Sequence, residues 1–181
     1  GIQPDLMSMA KALTSGYLPL GAVGITEEIY QGLMKSEIPF FHGLTYNGHP
    51  VCCAAAIANI DIIVKENLVE NAARMGKNLL EGELPDLERL QELLDLPYVG
   101  DVRGLGLVAA VELVEDKKTK AKFDPQKKIP QQVFLKAREN GLVCRAMGDN
   151  ICFSPPLIIT REEIDLMVDR IRPAIESIGS F

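Results

Sequence analysis

Apolar and polar positions along this chain change period several times, and each change marks an element. Residues 6–10 (LMSMA) are a short apolar run read as a buried strand, with Lys11 at its end. Thr14, Ser15, Gly16 and Pro19 then turn the chain into a second apolar run, residues 21–25. Thr26 suits a helix N-cap, with Glu27 and Glu28 in the first turn and Ile29, Leu33 and Met34 continuing until Pro39 ends the region. Residues 40–50, with two glycines and a proline among aromatics, read as an ordered loop. A helix over 51–66 follows, whose Ala54, Ala55, Ala56 and Ala58 permit close packing.

From Asn67 a helical stripe, Leu68, Ala72, Met75 and Leu79, runs to a breaker at 82–85, after which residues 87–94 form a shorter helix. A change of domain is expected near this breaker. Residues 99–114 read as strands around a glycine turn, and 117–130 as a polar surface segment turning at Asp124 and Pro125. A helix over 131–140 stops at Gly141, and strands over 142–145 and 150–154 flank a turn at Met147, Gly148, Asp149 and Asn150. Thr160 and Glu163 form a capping box before a stripe of Ile164, Val168, Ile171, Ile175 and Ile178, which Pro173 is expected to kink.

Composition narrows the function classes. The 181 residues are 47% apolar and 24% charged, an ordinary globular balance, and the net charge of −6 argues against a nucleic-acid surface. Lys117, Lys118, Lys120 and Lys122 are interleaved with polar groups and read as a solvated loop. The longest apolar runs are too short to span a bilayer, so no membrane partner is expected. Cys52, Cys53, Cys144 and Cys152 lack C-x-x-C spacing and suit reduced thiols of a cytoplasmic protein. The chain opens on Gly1 and soon enters an apolar strand, which reads as the C-terminal part of a longer polypeptide.

Three residues are chemical candidates. Lys11 stands at the expected mouth of a packed core, where loss of hydration favours the neutral, nucleophilic amine; the plainer alternative is a lysine whose stem packs while its head reaches water. Thr45 lies in a glycine-bearing loop, where backbone N–H groups can approach a phosphate closely, although an ordinary turn residue reads the same way. Arg145, between apolar neighbours, needs an anionic partner or solvent; a structural ion pair and a carboxylate grip both satisfy that. Gly100, Gly104 and Gly106 fit a strand turn better than a dinucleotide loop, His42 and His49 lack metal-site spacing, and Asp149 is a turn acid.

The strings MAKALTSGYLPLGAVGIT (9–26), HGLTYNGHPVCCAAAIANIDII (42–63) and CRAMGDNICFSPPLIITREEID (144–165) resemble, in order, three signatures of the class III (omega) aminotransferases. The resemblance implies an α/β, PLP-dependent transferase of fold type I. It places residues 1–66 in the C-terminal portion of the cofactor-binding large domain, 67–95 in a helical connection and 96–181 in the small domain. It further implies pyridoxal 5'-phosphate as cofactor, with Lys11 forming the Schiff base and moving a proton between substrate and cofactor carbons. Thr45 would bind the cofactor phosphate across a homodimer interface, and Arg145 would grip a substrate carboxylate. Ala12 and Leu44 depart from the glycine and phenylalanine common in relatives. The implied reaction moves an amino group from an amine or omega-amino acid to an oxo acid such as pyruvate; aminomutases and decarboxylases share the motifs. In such enzymes the aspartate that pairs with the ring nitrogen lies upstream of the lysine. The isolated chain is therefore expected to be inactive, and a non-catalytic fragment in which only the small domain folds is the alternative.

Overall fold

The computed structural model describes residues 2–80 and 89–180, and the chain divides into two compact units, 1–66 and 67–181. In the first unit, β1 (Leu6–Met9) pairs antiparallel with β2 (Ala22–Ile25), Leu6 lying opposite Ile25 and Met9 opposite Ala22. A one-turn 3-10 helix, Lys11–Thr14, begins the connection between them. Two helices come next, α1 (Glu27–Lys35) and α2 (Pro50–Lys65), the second entered through Pro50 at its first position, where a missing N–H costs nothing. Cys52 and Ala56 are buried along α2, which packs on the 3-10 turn.

The expected burial of the first strand is not found: every residue of β1 is exposed. A strand is buried by what covers its faces, and this one has a single partner strand, itself mostly exposed. Thr26 occupies the N-cap position of α1, yet its side chain makes no capping bond, and its Oγ1 is buried without a partner among the described residues.

The second unit holds the core. Its antiparallel sheet has the order β3-β4-β6-β5, built from β3 (Val99–Leu105), β4 (Val108–Leu113), β5 (Arg145–Met147) and β6 (Asn150–Phe153). Alternate sheet residues, among them Val102, Ala109, Val111, Ile151 and Phe153, bury one face. Against it lie the apolar stripes of α3 (Leu68–Leu80), α4 (Ile129–Glu139) and α5 (Arg161–Glu176). Residues of the 67–95 segment, including Met75, Leu79, Leu90 and Leu93, belong to this same core.

The ends of these helices obey their sequence signals. Thr160 and Glu163 make both bonds of the capping box, and Pro173 sits inside α5, which continues to Glu176. Past α4, Gly141 is left-handed at φ +82°, and the amides of Gly141 and Leu142 bond back to Arg138 and Ala137, a Schellman stop. The breaker at 82–85 and the start of the expected 87–94 helix lie outside the described residues; the later part of that stretch leads into a 3-10 turn, Gln91–Asp95. The strand expected over 142–145 is shorter and later, because pairing with β6 begins only at Arg145.

Gly106 turns β3 into β4 with a left-handed φ of +55°. The turn meets α3 so closely that a Cβ on Gly76 would fall 2.2 Å from a backbone atom of Gly106.

Candidate functional site

Lys11 opens the 3-10 turn with φ +51°, and Ser15 closes it with φ +48°. Two left-handed residues that are not glycine in five positions are strained, at about 1–2 kcal/mol each. Ser15 N–H donates to Ala12 O at 3.3 Å and Tyr17 N–H to Thr14 O at 3.0 Å. The buried Thr14 hydroxyl donates to Leu18 O, tying the turn to the next segment of chain.

Lys11 itself is exposed, not desolvated at the mouth of a core. The burial expected from the apolar run depended on β1 being covered, and the open ribbon covers nothing. Lys11 instead borders an open cleft of about 730 Å³ with Ala10, Gly16, Tyr17 and residues 18–21. Residues 18–21 also wall a second cleft of about 950 Å³, whose other side includes Leu44, Tyr46 and His49. Thr45 stands exposed in the turn between Leu44 and Tyr46, where Asn47 N–H donates to Leu44 O at 2.9 Å. His49 keeps Nδ1 buried with no partner among the described residues.

Arg145 belongs to the second unit. It is exposed at the start of β5, the outer strand of the sheet, opposite Cys152 of β6. Among the described residues no ion pair engages it. Asp149, in the hairpin turn, pairs with Lys122 at 2.6 Å. Gly100 and Gly104 lie within β3.

The donor set suits a phosphorylated aldehyde. A primary amine open to solvent can condense with the carbonyl, and a hydroxyl in a glycine-bearing loop can take phosphate oxygens. Sequence reasoning does not reach Asn59 of α2, whose side chain bonds the Lys11 turn. An amide among alanines and aliphatics is the signal that could have exposed it.

Known proteins share this chain's sequence and fold. The class-III aminotransferase family profile matches residues 1–175. An adenosylmethionine-8-amino-7-oxononanoate aminotransferase of Geobacter sulfurreducens is 39% identical, over 98% of this chain and 38% of its own length. A putrescine–pyruvate aminotransferase of Pseudomonas aeruginosa is 41% identical over 97% of this chain and 37% of its own. An (S)-enantioselective omega-transaminase from Thermomicrobium roseum superposes with a TM-score of 0.90 at 42% identity, over 98% of this chain and 38% of that one. An amine transaminase from an uncultivated Pseudomonas species, solved in its PLP-bound form, gives 0.89 at 40% identity over 97% of this chain and 39% of that one. The chain thus spans under two-fifths of the length of these relatives. Its matched residues, its α/β architecture and its likeness to solved transaminases make it part of a fold-type-I transferase, and the chain belongs to the PLP-dependent class-III aminotransferases.

Proposed function

We propose that this chain is the lysine-bearing part of a transaminase that moves an amino group from an amine or omega-amino acid to an oxo acid such as pyruvate. The observation that carries the reading is Lys11 itself, held on a strained turn beside an open cleft within the first of three ordered family signatures. When bound, pyridoxal phosphate supplies the electron sink that amino-group transfer requires. Lys11 Nζ would bond the cofactor aldehyde and, once displaced, hold and deliver the proton that shifts between substrate and cofactor carbons. Thr45 would offer its hydroxyl to the phosphate, across the interface of a homodimer. Arg145 would orient the substrate by a bidentate grip on a carboxylate, a role consistent with its lack of an ion-pair partner among the described residues. Reduced thiols suit a cytoplasmic setting.

The relatives' names support the amine and omega-amino-acid branch, putrescine with pyruvate among them. No carboxylate borders the Lys11 cleft among the described residues, so nothing there would hold a proton on the cofactor's ring nitrogen. The 181-residue chain alone is therefore expected to give no turnover of an amine with pyruvate. A direct test is incubation of that chain with pyridoxal phosphate, borohydride reduction and peptide mass spectrometry. Lys11 is expected to carry the pyridoxyl label ahead of the other lysines, and Lys11→Ala to lose it. Equal labelling of all lysines, or measurable turnover by the chain alone, would contradict the reading in its respective part.

A further inference from the structure

The turn that carries Lys11 is not held by its own hydrogen bonds alone. Left-handed backbone at Lys11 and again at Ser15 persists only where the surroundings over-determine it. What surrounds it is α2, a helix of sixteen residues, and one side chain on that helix reaches three groups of the turn. Asn59 Nδ2 donates to Ala12 O at 2.8 Å and to Leu13 O at 3.2 Å, while Asn59 Oδ1 accepts from the Ser15 hydroxyl at 2.6 Å. The amide thus grips the two residues after Lys11 and the second strained residue.

The amide nitrogen donates to two carbonyls and the amide oxygen accepts once, a set that neither alanine nor aspartate could reproduce. Aspartate would keep the acceptor for Ser15 and set a carboxylate against two carbonyl oxygens. The turn's other hydrogen bonds among the described residues, such as Thr14 Oγ1 to Leu18 O and Tyr17 N–H to Thr14 O, are local and do not reach the helix.

We infer that Asn59 is a positioning residue for the Lys11 amine: by clamping the turn to α2 it keeps the lysine in its left-handed conformation and so fixes where Nζ meets an aldehyde. This rests on the reading that Lys11 is the cofactor-bearing residue. Without the clamp, Lys11 relaxes toward extended or right-handed backbone and its side chain leaves along a different direction, so reaction needs a conformational search that the native turn has already made. Ser15 acts in the same clamp from the other side, through one bond.

The experiment uses the 181-residue chain with pyridoxal phosphate itself as probe. Initial rates of borohydride-trapped labelling are measured by peptide mass spectrometry at Lys11 and, as an internal reference, at Lys65, which lies at the end of α2. Three variants are compared, Asn59→Ala, Asn59→Asp and Ser15→Ala, with far-UV circular dichroism to follow helix content. The expected result is a Lys11:Lys65 ratio that falls about tenfold in Asn59→Ala, the factor carried by ~1.4 kcal/mol. Asn59→Asp should fall at least as far, and Ser15→Ala should fall less, without change in helix content. A role confined to the stability of α2 would alter the labelling of both lysines together and leave the ratio unmoved.

An unchanged ratio in both Asn59 variants, with wild-type Lys11 still preferred over Lys65, would overturn the role of Asn59 and leave the assignment of Lys11 standing. Should Asn59→Ala lose helix content, the Ser15→Ala ratio decides, since that change alters no residue of α2 and removes only the bond to Asn59 Oδ1: a fall supports the clamp and an unchanged ratio overturns it. Wild-type labelling no greater at Lys11 than at Lys65 would overturn the cofactor assignment, and this inference with it.

Discussion

Cys144 lies in the coil that leads into β5, half-buried, and its burial, with Cys152 nearby, pushes its thiol up to about 11. The consequence for stability has a definite sign. A thiol held neutral in the fold but ionising near 9.0 when unfolded contributes fully below that lower value and loses its contribution as pH rises toward 11. Unfolding free energy measured by urea titration should therefore decline between about pH 9 and pH 11, and decline less in Cys144→Ala. At neutral pH, thiol alkylation of the folded chain should be slow at Cys144 and should quicken on denaturation. The half-burial of Cys144 was not legible from cysteine spacing, which says nothing about what packs on a side chain. The exposure of Lys11 was not legible either, because residues 6–10 report only that a strand is apolar. Whether its faces are covered depends on neighbours the run itself does not encode. The left-handed backbone at Lys11 carried no sequence signal either, since lysine has no preference for it.

Elements with their own punctuation were read almost to the residue. The capping box at Thr160 and Glu163 and the isoleucine stripe behind it gave α5, and the glycine stop at Gly141 gave the end of α4. Thr160→Ala removes the Oγ1 acceptor of the Glu163 amide and should cost about 1 kcal/mol, seen as a Tm lower by several degrees. Gly76→Ala should cost more although it adds only a methyl group. The new carbon would fall 2.2 Å from the backbone of Gly106, so α3 or the β3–β4 turn must move, at roughly 1–3 kcal/mol. Thermal unfolding of the two variants side by side checks the order. Nothing in the spacing of Gly76 and Gly106 announces their contact, which joins elements far apart in sequence. Thr26 shows the opposite failure: its type and position are right for a cap, but its hydroxyl makes no bond to the helix.

For the molecule as a whole, the two units differ in how much they bury. Residues 67–181 enclose a continuous core running from Met75 to Ile178. Among the described residues of 1–66, only Thr14, Cys52 and Ala56 are buried, while Leu6, Met7, Val23, Ile25, Phe41 and Tyr46 stand exposed. A polypeptide of residues 67–181 is expected to unfold in one cooperative urea transition with a dispersed NMR spectrum, and residues 1–66 alone to show neither. A cooperative transition in the shorter piece would contradict this. The sequence placed a change of domain near the 82–85 breaker and read 67–95 as a connection; the two units divide between 66 and 67, and residues of 67–95 supply part of the second core. Their stripe showed that one face would be buried and left open against which unit.

The uncovered ribbon of β1 and β2 has a further meaning for the 181-residue polypeptide in solution. Among the described residues it is a two-stranded sheet with water-facing apolar side chains, a template on which a strand of another copy can pair. Light scattering by that polypeptide should therefore climb with its concentration.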